Sequence, residues 1–305
     1  MTAPRIAVAP ESGRFESLVA AVEAGGGVVV DPGDAEALVW ADAARPEPVP
    51  DVLAGAPGVR WVQLPFAGIE NFVHLLDRDR TWTCGKGVYA PPVAEHALAM
   101  TLAGMRHLVG YAKQRQWTGP VGNNLLGAHA VVLGGGEITV ELLRLMAPFG
   151  LTTTVVRKRP DPVVGATDTV GVERLHEVLP AADVVVLALA LTPETEGIIG
   201  RAELDAMAEH AWIVNVARGR HIVTDDLVEA LRQGSIRGAA LDVTDPEPLP
   251  ADHPLWRIDN VLITPHVGNT PEMGIPLLAA RVTENVRRFA AGEALLGLVD
   301  VDLGY

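Results

Sequence analysis

The sequence predicts an α/β protein of two parallel-sheet domains, on three observations. Short apolar runs of strand length alternate with helix-compatible stretches along most of the chain. A glycine triplet, Gly134-Gly135-Gly136, joins one such run to a helical stretch. The chain has 305 residues, about two domains if a domain takes ~150 residues.

Ile6-Ala7-Val8-Ala9, Val28-Val29-Val30, Ala37-Leu38-Val39-Trp40 and Trp61-Val62-Gln63-Leu64 read as strands covered on both faces, because such strands are continuously apolar rather than alternating. Turn residues such as Asp31-Pro32-Gly33 and Ala56-Pro57-Gly58 separate them. Residues 93–109 carry apolar side chains at helical spacing over a wide face, with Glu95 at the positive end of the helix dipole. A second series of strands follows, at 130–133, 153–156, 183–190, 211–216, 239–243 and 261–264. Six strands with helical stretches between most of them match a doubly wound, dinucleotide-binding sheet. Residues 271–292 read as a last helix.

Composition removes several function classes. Lys and Arg total 24 and Asp and Glu 38, so the net charge is −14, which disfavours nucleic acid and anionic membrane surfaces as partners. The one cysteine, Cys84, cannot form an internal disulfide, and no His/Cys/carboxylate spacing suggests a metal site. The only serines are Ser12, Ser17 and Ser235, none in a Gly-x-Ser-x-Gly elbow, so a serine hydrolase is not expected. Without an apolar run of about 18 residues or a signal-peptide pattern, the expected location is the cytoplasm.

Leu133-Gly134-Gly135-Gly136-Glu137-Ile138-Thr139 closes a strand and opens a helix expected over 138–149. Gly134 allows the tight turn, Gly136 lets backbone approach a pyrophosphate, and Glu137 and Ile138 begin the helix whose N-terminus would face it. Thr139 stands where a third glycine is expected, which predicts a helix–strand contact that is either wider there or absorbed by Gly135. About 20 positions on, strand two ends in Arg157-Lys158-Arg159 instead of the carboxylate that would bind a ribose 2′-hydroxyl. Three cations at this point of an acidic chain favour NADP(H) over NAD(H).

Arg218 follows the strand Ile213-Val214-Asn215-Val216, Glu247 lies in Thr244-Asp245-Pro246-Glu247-Pro248, and His266 ends Ile263-Thr264-Pro265-His266. Each comes just past the carboxyl end of an expected strand, where doubly wound sheets bind ligands. Reduction of a 2-oxo acid needs this trio. A guanidinium holds the carboxylate or carbonyl, an imidazole exchanges the hydroxyl proton, and a carboxylate orients the imidazole.

On these motifs, with Leu191-Thr192-Pro193-Glu194-Thr195 and Ala240-Leu241-Asp242-Val243, the sequence resembles the D-isomer-specific 2-hydroxyacid dehydrogenases over nearly its whole length. The group includes glyoxylate/hydroxypyruvate reductases and phosphoglycerate dehydrogenases. The resemblance implies a Rossmann dinucleotide-binding domain, residues 96–273, inserted into a smaller flavodoxin-like α/β substrate domain, residues 1–95 and 274–305. It implies hydride transfer between a nicotinamide cofactor and a small 2-oxo or 2-hydroxy acid, with Arg218, Glu247 and His266 as the catalytic set. The loop Phe66-Ala67-Gly68-Ile69 would bind the carboxylate through the N–H groups of Ala67 and Gly68, and the cleft between domains would close on it. Thr195, Ala217, Asp242 and Gly268 join the cofactor-binding residues, Asp242 at the nicotinamide carboxamide. A homodimer built on the cofactor domain is implied as well. Three positions depart from the family pattern: Thr139, Arg157, and Ala190 in place of a proline. Phosphoglycerate dehydrogenase-type activity, a dinucleotide-sensing binding protein and, more distantly, a methyltransferase are the alternatives.

Overall fold

A computed structural model describes residues 3–302 of the chain. Two compact units emerge, Met1–Tyr89 with Thr270–Tyr305, and Ala90–Asn269. Residues 1–2 and 303–305, which were expected in the substrate domain, lie outside the described residues. The expected breaks after residues 95 and 273 fall inside helices. The observed ones fall at helix starts, because a cooperatively hydrogen-bonded helix packs whole into one unit.

The first unit is a five-stranded parallel sheet. Its elements are β1 (Arg5–Ala9), α1 (Phe15–Ala24), β2 (Val28–Val29), β3 (Ala37–Trp40), α2 (Val49–Ala54), β4 (Trp61–Gln63) and β5 (Thr81–Thr83). The strand order β2-β1-β3-β4-β5 is the flavodoxin-like order. Every residue of β3 and β4 is buried, as expected of strands covered on both faces. Trp40, Trp61 and Trp82 are among the largest fully buried side chains. The C-terminal helix, Pro271–Ala291, returns to this unit, where the Thr283 hydroxyl donates to the Ala21 carbonyl of α1. It ends at Gly292, whose φ of 69° is the left-handed cap a glycine supplies.

The second unit runs through α3 (Ala90–Met105), α4 (Leu108–Lys113), β6 (His129–Leu133), α5 (Glu137–Met146), β7 (Thr152–Val156), β8 (Asp168–Val170), α6 (Leu175–Val178), β9 (Val184–Leu187), α7 (Arg201–Ala206), β10 (Trp212–Asn215), α8 (Thr224–Gln233), β11 (Gly238–Leu241) and β12 (Val261–Ile263). All strand pairs are parallel, in the order β12-β11-β10-β9-β6-β7-β8. Counted from β6, this is the dinucleotide-binding order 3-2-1-4-5-6 with a further strand beside the sixth. The order reverses between β6 and β9, so the crevice at their carboxyl ends is the place for a ligand. Two apolar clusters pack the two faces of this sheet, one including Leu133, Leu187 and Ile213, the other Val132, Leu142 and Val186.

Several elements differ from expectation. The helix expected over 93–109 stops at Met105, because His107 turns left-handed (φ 55°) before α4 starts. The helix expected over 138–149 tightens into a 3₁₀ turn at Ala147–Phe149, where Pro148 lacks the amide to continue an α-helix. Strands β5 and β8 were not expected at all. No helix among the described residues is long and apolar enough to cross a membrane.

Candidate active site

The glycine turn sits at the reversal of strand order. Gly134 has φ 103°, and a Cβ there would lie 2.3 Å from the Ala188 carbonyl oxygen, so both its backbone and its neighbour exclude any side chain. Gly136 caps α5 with no side-chain hydrogen bond, and a Cβ on it would meet nothing within 4 Å. The first-turn N–H groups of α5, which have no intrahelical acceptors, are thus left for a ligand. This backbone fits the pyrophosphate of a dinucleotide. Glu137 and Ile138 form the first helical residues.

Thr139 is bonded into the turn that precedes it. Its side chain is fully buried, and its hydroxyl donates to the Gly134 carbonyl over 2.8 Å, so the residue in the third-glycine position ties the helix back to the first glycine. At the tip of β7, Arg157 is half-buried and Lys158 and Arg159 are exposed. The Arg157 stem lies against the turn: a Cβ on Gly135 would stand 2.9 Å from Arg157 Cδ. Lys158 faces Glu194 at 3.9 Å across solvent, a weak pairing. Neither the Arg157 nor the Arg159 guanidinium has a hydrogen-bond or carboxylate partner among the described residues.

Arg218, Glu247 and His266 follow β10, β11 and β12, three adjacent strands, at their carboxyl ends. His266 Nδ1 lies 2.7 Å from Glu247 Oε1. An ionised carboxylate only accepts, so Nδ1 carries the hydrogen and Nε2 is left to exchange a proton. His266 has φ 54°, an unusual conformation for a non-glycine residue, held by bonds from its N–H to the carbonyls of Asp242 (2.8 Å) and Thr264 (3.0 Å). The Arg218 turn is set by fully buried Asn215, which accepts from the Ala217 N–H (3.0 Å) and donates to the Arg218 carbonyl (2.9 Å). Arg218 Nη1 donates to the Ala217 carbonyl over 2.8 Å. Gly219 explains how the turns after β10 and β11 come together: a Cβ there would lie 2.0 Å from the Thr244 carbonyl carbon.

Asp242 is a buried anchor for the loop bearing His266. Oδ1 accepts from the Thr264 hydroxyl (2.6 Å) and the Val267 N–H (2.9 Å), and Oδ2 from the Gly268 N–H (2.9 Å). His96 Nε2, on α3, stands 3.3 Å from Oδ1 and 3.0 Å from the Thr264 hydroxyl. Burial alone would raise the Asp242 pKa, but the bonds from His96, Thr264, Val267 and Gly268 outweigh it and hold the carboxyl at about 2. Thr195 is also engaged within the chain: its hydroxyl donates to the Ala190 carbonyl (2.8 Å) and accepts from the Thr192 N–H (2.8 Å), closing the loop after β9. Buried His221 joins that loop to the Arg218 turn, with its ring nitrogens 3.0 Å from the Thr195 carbonyl and 3.2 Å from that of Leu189. Sequence reading missed Asn215, Thr264, His96 and His221. For Asn215 and Thr264 the available signal was a polar residue ending an apolar strand.

In the first unit, Ala67 is exposed and Gly68 half-buried in the loop after β4. The preceding Phe66 makes an edge-on contact with Tyr89 (ring centroids 5.7 Å apart), and its carbonyl accepts from the Gly85 N–H. The Arg14 guanidinium lies 4.7 Å from the Phe66 ring centre, and its Nη1 donates to the Ala41 carbonyl over 3.4 Å. Tyr89 donates to the Pro65 carbonyl. Its phenol pKa is raised by burial, against the opposing fields of Arg14 and Arg281.

Residues 97–268 match the family model described as D-isomer specific 2-hydroxyacid dehydrogenase, NAD binding domain. An uncharacterized protein in the proB 3′ region of Corynebacterium melassecola is 39% identical, over 95% of this chain and 97% of its own length. Glyoxylate/hydroxypyruvate reductase A of Serratia proteamaculans is 30% identical, over 88% of this chain and 87% of its own. The crystal structure of a D-isomer specific 2-hydroxyacid dehydrogenase from Xanthobacter autotrophicus Py2, in complex with NADPH and MES, superposes with a TM-score of 0.84. It is 27% identical and covers 99% of this chain and 100% of that one.

Proposed function

Because this chain belongs to the D-isomer-specific 2-hydroxyacid dehydrogenase family, and is thereby an NAD(P)-dependent oxidoreductase of small hydroxy or oxo acids, we propose that it is an NADP(H)-favouring glyoxylate/hydroxypyruvate reductase. The observation that carries the chemistry is the 2.7 Å His266–Glu247 pair on the strand edge that also bears Arg218.

When bound, the nicotinamide cofactor supplies the hydride that adds to C2 of the 2-oxo acid. The remaining work falls to the chain. The N–H groups of Ala67 and Gly68 and the Arg218 guanidinium hold the carboxylate and polarise the carbonyl. His266 gives a proton from Nε2 to the carbonyl oxygen, which becomes the hydroxyl, and takes it back in the reverse direction. Glu247 keeps the ring oriented through Nδ1. Gly134, Gly136, Glu137 and Ile138 seat the pyrophosphate. Arg157, Lys158 and Arg159 seat a 2′-phosphate, a role supported by two guanidiniums without partners among the described residues. Thr195, Ala217, Asp242 and Gly268, whose polar groups bond within the chain, shape the nicotinamide end through the loops they hold.

The proposal includes a homodimer and a cytoplasmic location. The dimer is supported by Leu108, Trp117, Val121 and Leu126, large apolar side chains exposed along one stretch of the second unit. The location is supported by a lone, buried cysteine. The test is steady-state turnover of glyoxylate, hydroxypyruvate, pyruvate and phenylpyruvate with NADPH and with NADH. Hydroxypyruvate and glyoxylate with NADPH should give the highest kcat/KM. Equal or better kinetics with NADH would refute the cofactor preference, and no turnover of any acid would refute the activity.

A further inference from the structure

We propose that Arg14 is a specificity-determining residue: its guanidinium binds a hydrogen-bond acceptor on C3 of the substrate, a hydroxyl or a carboxylate. The inference rests on the reading above, reduction of a 2-oxo acid held at Ala67 and Gly68, and deepens it by naming the favoured substrate class.

The first support is topological. In the order β2-β1-β3-β4-β5 the strand sequence reverses between β1 and β3, and open parallel sheets bind ligands outside the carboxyl ends of their strands at that reversal. Arg14 lies in the connection leaving β1, and its Nη1 bonds the Ala41 carbonyl just past β3, so the side chain spans the crevice. The guanidinium also lies over Phe66, the residue before Ala67, which ties it to the proposed carboxylate loop.

The second support is chemical. A guanidinium offers five N–H donors. Among the described residues that of Arg14 makes one hydrogen bond, to a neutral carbonyl, and has no carboxylate partner. A half-buried cation with most of its donors unmatched is electrostatically incomplete, and an acceptor delivered by the ligand completes it. Held by the Phe66 face and the Ala41 carbonyl, it requires little ordering on binding. Tyr89, packed on Phe66, feels Arg281 as well as Arg14, against an opposing contribution from Cys84. A C3 hydroxyl or carboxylate suits this environment and a C3 hydrogen or alkyl group does not.

The experiment compares the unaltered protein with Arg14→Gln and Arg14→Lys in NADPH-dependent reduction of hydroxypyruvate, oxaloacetate, pyruvate and glyoxylate. The unaltered protein should prefer hydroxypyruvate or oxaloacetate to pyruvate. In Arg14→Gln that preference, as a ratio of kcat/KM values, should fall about 10–100-fold, mainly through KM, the worth of a hydrogen bond to a charged group. Arg14→Lys, which keeps the charge and loses the fork, should retain part of it. A larger fall for oxaloacetate identifies an anionic C3 group as the preferred acceptor, and a larger fall for hydroxypyruvate a hydroxyl. Parallel losses on all four acids would overturn the inference and reduce Arg14 to a support for the Phe66 loop, as would an unaltered protein that does not discriminate at C3. If the unaltered protein binds NADPH but reduces none of the acids, the underlying activity fails instead, an outcome distinct from lost discrimination.

Discussion

Replacing Asp242 with asparagine tests whether the His266 loop hangs on a buried carboxylate. The native group accepts from Thr264, Val267, Gly268 and His96, and its pKa sits at about 2 against an ordinary 3.8. Such a depression corresponds to roughly 2 kcal/mol of stability at neutral pH. A second route gives a similar figure. The asparagine amide would turn a donor towards one of these donors, and a buried N–H left without an acceptor costs about 1–3 kcal/mol. Urea unfolding at pH 7 should therefore show Asp242→Asn less stable by about 2 kcal/mol. Because the folded pKa is depressed, the carboxylate contributes fully above its unfolded pKa and loses its contribution as pH falls through the folded one. The gap between the two proteins should hold from pH 8 down to about 4, then narrow towards about 2. A gap below about 0.5 kcal/mol at pH 7, the scale of an ordinary surface substitution, would refute the anchoring argument. So would a gap that widens steadily from pH 7 to pH 4.

His266→Ala should lower kcat by about 10²–10⁴-fold, and a loss under tenfold would remove it as the acid/base. Gly219→Ala should force apart the turns after β10 and β11, since its Cβ would fall 2.0 Å from Thr244, and kcat/KM should drop at least about 100-fold; retention of activity would show that the turns need not touch. Thr139→Ala should cost about 0.5–1.5 kcal/mol in urea unfolding through the lost bond to Gly134, with an unchanged midpoint contradicting its role as a tie. Arg157→Ser should raise the KM for NADPH more than that for NADH, and equal effects on both would detach Arg157 from the 2′-phosphate.

Where the fold was legible, one physical signal sufficed. Strands covered on both faces, such as Val184–Leu187, apolar throughout, and Trp212–Asn215, apolar up to its last residue, need no partner to be recognised. Thr81–Thr83 and Asp168–Val170 were missed because each is three residues long, carries polar residues, and lies at a sheet edge; pairing with β4 and β7 makes them strands. The same limit applies to the site. Arg218, Glu247 and His266 stand out because each follows a readable strand. His96 reaches Asp242, a residue 146 positions away in the chain, only because α3 packs on β10 and β11. Thr139 was read as a misfit because a third glycine is justified by close packing, whereas here a hydroxyl bond closes the turn.

The left-handed backbone of His266 also bears on how this protein can change over generations. L-residues lose about 1–2 kcal/mol in that conformation, and asparagine and glycine are the side chains that tolerate it best. Substitutions that remove the proposed proton donor can therefore relax the loop, provided the strain they relieve exceeds the worth of the lost Glu247 contact. Drift at this position, if no longer opposed by selection for turnover, would run towards a sturdier and inactive molecule, and a screen for thermal resistance alone would be biased towards the same loss.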